Sequence, residues 1–300
     1  MAAARPLSGV WRHVYACTVG FTGGACVGLV GWGGAQFIIP GMTHPVMGLS
    51  QLAATGVSLC SLSLSTVTGS IKFLLEDSAS LKTAAIIALP SIVTARVGAR
   101  LAARLPDDVL QLAFNAVSVL LIPTHFIVQR NAERRWSATS TEQQEQQDPG
   151  SQQPMKPPTR DSAMELALCH SAFGCVSGVI SAIMGVGGLP LTMSYLTAFT
   201  SLPHHLVQGT AQLAVAPSAI TSAVSRWNVV PVATAAAVSA GAMGGATVGA
   251  SIALRTSEER LRELYMLSLL LLGGRSFVAA TRNLRSIWAR RGGVLPPRKE

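Results

Sequence analysis

Carboxylates are scarce in this chain: Asp and Glu number 14 in 300 residues, and charged residues of either sign make up only 12%. They stand in small groups (Glu76 and Asp77, Asp107 and Asp108, Glu133 to Glu165, Glu258 to Glu263, and Glu300) with long acid-free stretches between. No acid falls in the middle of an apolar stretch, which counts against a proton relay built on carboxylates. The sequence also lacks HExxH, a Ser, His and Asp set, and paired acids for a shared pocket, so hydrolytic chemistry and an enzyme are not expected. Cysteines are few as well, at Cys17, Cys26, Cys60, Cys169 and Cys175. No pair has metal-ligand spacing, and a disulfide framework belongs to short secreted chains. They read as small apolar packing residues, and neither a metal nor a cofactor is expected.

What is abundant is apolar. Hydrophobic residues make up 49% of the chain and mean hydropathy is +0.41, values of a membrane protein. The acid-free stretches are about the length a bilayer requires, roughly 20 residues per helix. Eight spans are predicted, near 14–39, 47–71, 81–103, 108–129, 165–197, 205–225, 231–254 and 261–281. A soluble helical domain would need polar faces recurring at helical period, and 231–254 (PVATAAAVSAGAMGGATVGASIAL) has none. The fold class expected is all-α, a polytopic membrane protein of about eight transmembrane helices in two homologous four-helix repeats.

The repeats are read from a glycine-dense motif that occurs twice, as Gly31, Trp32, Gly33, Gly34 and as Gly185, Val186, Gly187, Gly188. At a near-constant offset Thr55 answers Thr210, Val97-Gly98-Ala99 answers Val248-Gly249-Ala250, and RLPDDVL from Arg104 answers RTSEERL from Arg255. Duplication follows from the ordered set. The chain then divides into an N-terminal arm (1–13), a first transmembrane repeat (14–129), a linker (130–164), a second repeat (165–281) and a basic tail (282–300). The linker, with its TSTEQQEQQDPGSQQPMKPP tract, has no apolar periodicity and is expected to be disordered. On eight spans most Lys and Arg residues fall on the side of both termini and the linker, which the positive-inside rule makes cytoplasmic. The net charge of +9 is thus a topology signal. The tail (RNLRSIWARRGG) is suited to anionic lipid and no nucleic-acid partner is expected. Four crossings per half give both repeats one orientation, which the matched Arg104 and Arg255 favour. A re-entrant glycine segment would give an odd number and inverted repeats.

Clustered glycines in a membrane segment permit either close backbone approach or a local break that exposes amides and carbonyls. Pro40 and Pro190 follow soon after each motif, so a discontinuous helix is predicted in each half, the arrangement from which repeat-built carriers make substrate sites. The predicted substrate-binding residues are Gly31, Gly33, Gly34, Gly185, Gly187 and Gly188, the polar Thr55, Ser58, Thr210 and Gln212, with Gln208, and Arg96. The last is the one cation well inside a span, and an intramembrane charge is a functional hypothesis by default. Arg275 is read as either bundle-facing or snorkelling. His44, His204 and His205 read as turn residues.

These residues reach a known family. GLVGWGGAQFIIP, LAATGVSL and VGARLAARLPDDVLQLAF in the first half, and MGVGGLPLTMSY, VQGTAQLAV and VGASIALRTSEERLREL in the second, resemble the sulfite exporter family of the TauE/SafE type over roughly 20–127 and 168–280. The resemblance implies a multipass permease for small anions such as sulfite or organosulfonates. The site is expected near the midplane where the two glycine motifs meet, with alternating access by rocking of the halves. The partners expected are a small anionic substrate and membrane lipid, and a homo-oligomer is left open. The third glycine of the family motif is Ala35 in one half and Leu189 in the other. That departure motivates the rival reading, a non-transporting membrane scaffold that binds partners or lipid.

Overall fold

The computed structural model describes residues 9–32, 34–120, 123, 160–200 and 202–291. Among them all regular structure is helical: α1 (Gly9–Val30), α2 (Ala35–Thr43), α3 (Gln51–Leu75), α4 (Leu81–Ala102), α5 (107–120), α6 (Arg160–Met184), α7 (Leu189–Phe199), α8 (His204–Ser225), α9 (Val232–Arg255) and α10 (Glu258–Arg291). Five have the length and composition to cross a bilayer: α1, α3, α4, α9 and Met164–Met184 of α6. Helix α6 begins inside the stretch assigned to the linker, and α10 runs into the stretch assigned to the tail. Most of the linker lies outside the described residues.

Each half has the same succession: a long helix, a glycine break, a short helix, then three more helices. The break is a reversal, not a kink. Gly31 has φ +68, and Gly185, Gly187 and Gly188 lie at +73, +73 and +74, a left-handed backbone open to glycine without strain. After the turn α2 runs back along α1. Gly34 and Ile38 lie against Gly23, and Gly41 lies against Val19. By Met47 the chain is level with the start of α1, where Arg12 Nη2 donates to the Met47 carbonyl at 3.1 Å. Helix α3 therefore departs from the face on which α1 began. Two acceptors serve its first turn: Ser50 Oγ takes Ala53 N–H, and the Asp107 carboxylate takes Gln51 N–H and Leu52 N–H, both at 3.1 Å. A negative side chain at a helix start satisfies orphan amides and complements the helix dipole.

The directions of the remaining helices follow from their contacts. Gly20, Gly24 and Gly28 of α1 face Val238, Ala242 and Ala246 of α9, while Gly241, Gly245 and Gly249 face Cys17, Phe21 and Ala25. Numbers rise together, so α1 and α9 run parallel, joined by small residues four apart on both helices. Gly174 and Gly178 of α6 face Ile87 and Ser91 of α4 in the same parallel sense. Gly56 lies against Val230, Leu62 against Gly187, and Gly69 against Gln212, so α3 and α8 are antiparallel. Taking the face where α1 starts as the near face, α1 runs outward and α6 inward. The pairings mirror each other: α1 on α9 as α6 on α4, and α3 on α9 as α8 on α4.

The orientation favoured by the matched charges is therefore corrected: the halves are inverted, because each glycine segment sends the chain back and adds a fifth leg. Helix α5 leaves Asp107 on the near face and rises toward the far face, and α6 begins on the far face and descends. Both terminal helix ends share the near face, whereas the first residue of α6 lies on the far face.

Candidate functional site

The second break is built around a buried cation. Arg226 caps the C-terminal end of α8 and is 3% exposed. Its Nη2 donates to the Ala182 and Ile183 carbonyls at the end of α6, and its Nη1 donates to Thr55 Oγ1 at 2.6 Å. All three partners are neutral. The last carbonyls of a helix have no partner within it and carry the negative end of its dipole, so a guanidinium there is stabilised without a carboxylate. Arg226 Nε has no partner. Beside it Ser58 Oγ donates to the Gly185 carbonyl at 2.9 Å. Thr55 packs on Gly185 so closely that a Cβ there would lie 2.6 Å from Thr55 Cβ. Thr55, Ser58, Gly185 and Arg226 thus form one polar cluster that closes the turn.

The first break is closed by neutral amides. Gln208 Nε2 donates to Gly28 O at 2.7 Å and Gln212 Nε2 to Val27 O at 3.0 Å, which satisfies carbonyls at the end of α1. Each leaves its Oε1 buried without a partner. Gly31 sits beneath Met193 and Gln208, and Trp32 is fully buried with its ring edge-on to Tyr265.

The two breaks do not meet. On α3 the second runs from Thr55, beneath Gly185, to Leu62, beneath Gly187, and the first lies at the level of Gly69, seven to fourteen residues on, about 10–21 Å of rise. Each turn follows a helix long enough to cross, so it falls at the far end of that crossing, and inversion puts the two ends on opposite faces. The glycines thus do not converge at one point, and the second break is held by a cation while the first is held by neutral amides.

Among the predicted site residues, Thr55, Ser58 and Gly185 gather at the second break, and Gly31, Gln208 and Gln212 at the first. Gly34 serves packing, since a Cβ would lie 2.6 Å from Gly23 O. Gly188 is the left-handed N-cap of α7, with Pro190 in the first turn. Gly187 packs under Leu62 and Val215. Thr210 Oγ1 accepts Ser80 N–H at 2.9 Å and ties α8 to the start of α4, an interhelical bond. Gly33 lies outside the described residues. Arg96 is exposed, on the outer face of α4 beside exposed Val93 and Val97, and does not enter the interior. A helix carrying apolar residues on its outer surface extends its arginines along that surface toward the interface.

Arg226 follows directly on the predicted span 205–225, so from sequence it reads as loop charge. The available signal was isolation: it is the only Lys or Arg between Arg160 and Arg255. A single cation in so long an apolar run has to be held by something, whatever its distance from a span boundary.

Neither the curated proteins nor the solved structures give a match to this chain. The family description "Sulfite exporter TauE/SafE" matches residues 16–276, from the middle of α1 to the middle of α10 and so across both glycine breaks. The chain belongs to the sulfite exporter TauE/SafE family and is a multi-pass membrane protein of the transporter class.

Proposed function

We propose that this protein carries a small anion, sulfite or an organosulfonate, across its membrane by alternating access, with the Arg226 cluster as its principal anion contact. The observation that carries the reading is the buried guanidinium of Arg226, whose partners among the described residues are all neutral. A cation held by carbonyl dipoles and one hydroxyl keeps its net charge, so an anion entering the cluster gains an uncompensated partner in a low-dielectric interior. A carboxylate partner would have cancelled that attraction. Thr55 and Ser58 can turn their hydroxyls from protein acceptors to anion oxygens, and Arg226 has an N–H to spare. The sulfur chemistry of the substrate comes from the family.

Two closures on opposite faces, separated along the antiparallel α3–α8 pair, suit a cycle in which one opens while the other stays shut. Rocking of one half against the other about that pair would open them in turn. Lipid meets the outer apolar faces of helices such as α4, where Val93 and Val97 are exposed. Ala35 and Leu189, which motivate the scaffold reading, are both fully buried in the core, so the larger side chain at 189 is accommodated by packing.

The test is flux of radiolabelled sulfite, sulfate and taurine into proteoliposomes of purified protein, with Arg226→Gln beside it. Saturable uptake of one of these, lost in the variant while insertion and monodispersity persist, supports the carrier. Equal uptake by the variant would overturn the role of Arg226, and no uptake of any anion from well-inserted protein would return the scaffold.

A further inference from the structure

A second polar space lies away from both breaks, between α2, α5 and α10 at the near face. It is a cavity of about 100 Å³ whose lining includes Gln36, Gln51, Gln111, Asn115, Arg275 and Ser276. An apolar cavity of about 150 Å³ holds benzene, so this one has room for a group the size of a small oxyanion or for a few waters. Its walls are held in place by one side chain. Gln36 is buried and both ends of its amide are bonded: Nε2 donates to Ser118 Oγ of α5 at 2.5 Å, and Oε1 accepts from Ser276 Oγ of α10 at 3.2 Å. Three helices are thereby pinned around the space by hydrogen bonds within the protein.

The groups left over include a buried donor and a cation. Gln51 is 5% exposed and its Nε2 is buried without a partner, although its backbone N–H is taken by Asp107. Leaving a buried amide donor unmade costs about 1–3 kcal/mol, so a ligand that accepts from it is favoured. The Asn115 amide, also buried, lines the same space, and the exposed Arg275 guanidinium stands among its lining residues. No carboxylate is among those lining residues. A cation with amide donors and no opposing acid selects an anion with several acceptor oxygens.

We propose that this cavity is a binding site for a single tetrahedral or pyramidal oxyanion, held by Arg275 with the Gln51 and Asn115 amides. It is separate from the Arg226 cluster, and its occupancy does not depend on the transport reading. A free inorganic oxyanion and the phosphate of an anionic lipid headgroup share the required chemistry.

Equilibrium binding of radiolabelled sulfate to full-length protein in zwitterionic-lipid nanodiscs tests it, with methanesulfonate and the neutral dimethyl sulfone as competitors. The Arg226→Gln background isolates this site from the other. In that background the expected result is saturable sulfate binding, displaced by methanesulfonate and not by dimethyl sulfone. Adding Arg275→Gln should weaken it at least tenfold, Gln51→Leu severalfold, and Arg275→Lys should restore part of it. Arg275 is exposed, so its replacement leaves the packed core untouched, and elution as a single species checks this. Nanodiscs containing phosphatidylglycerol distinguish the sources: competition with sulfate identifies a headgroup as occupant, and its absence a free anion. Sulfate binding unchanged by Arg275→Gln, or no saturable binding in the Arg226→Gln background, would overturn the proposal. Loss of flux in Arg226→Gln with this binding intact would leave both readings standing, and flux without this binding would remove only the cavity.

Discussion

At the scale of single residues, Arg226 and Thr55 combine structure and charge in a way that separates two losses. Arg226→Gln keeps a donor for the α6 carbonyls but removes the cation, whose interaction with a helix terminus in a partly buried setting is worth up to about 2 kcal/mol. The expected outcome is retained insertion with anion flux reduced at least tenfold, measured in proteoliposomes. Thr55→Val removes the acceptor at 2.6 Å from Arg226 Nη1 and should raise the half-saturating anion concentration while preserving expression. Gly185→Ala acts differently. At φ +73 a Cβ costs roughly 1–2 kcal/mol in backbone strain and also meets Thr55, so the variant should lower the unfolding temperature in detergent as well as flux. Much of this cluster was legible in sequence: Gly185, Thr55 and Ser58 were marked by the repeated glycine motif and the polar step that follows it. Arg226 was not, because a cation next to a span end looks like loop charge until the helix that ends beside it is known.

At the scale of elements, the joints are small-residue faces. On α1 and α9 the glycines alternate in facing backbone, and a Cβ on Gly24 would lie 2.6 Å from Ala242 Cα, where no side chain can move aside. Overpacking of this kind costs about 1–3 kcal/mol. Gly24→Ala should therefore lower thermal stability in detergent by several degrees, whereas Gly9→Ala, with nothing within 4 Å, should leave it unchanged. The existence of most helices was readable from acid-free apolar length. Their breaks were readable from Gly31 and Gly185. What the breaks did was not. A kinked span and a hairpin have the same composition, and the difference lies in whether residues after the turn pack against those before it, as Gly34 and Ile38 do against Gly23.

At the scale of the whole molecule, inversion makes a prediction that the eight-span reading contradicts. In a background without native cysteines, Glu76→Cys and Ser257→Cys should be labelled by an impermeant thiol reagent from one side, and Arg104→Cys and Asn228→Cys from the other. All four positions are exposed at helix ends. Eight spans would instead put residue 76 with residue 228. Labelling of Glu76→Cys from the same side as Asn228→Cys would sink the inverted arrangement. The sequence by itself determined the membrane class, the helical content, the two glycine breaks and the family resemblance, because these depend on composition and local spacing along the chain. Only the tertiary structure decided that the halves are inverted, that the breaks close opposite faces, that Arg96 faces outward, and that Arg226 is buried. Each of those depends on the parity of chain reversals and on which distant helix supplies a carbonyl or a small residue, and no local window of sequence carries that information.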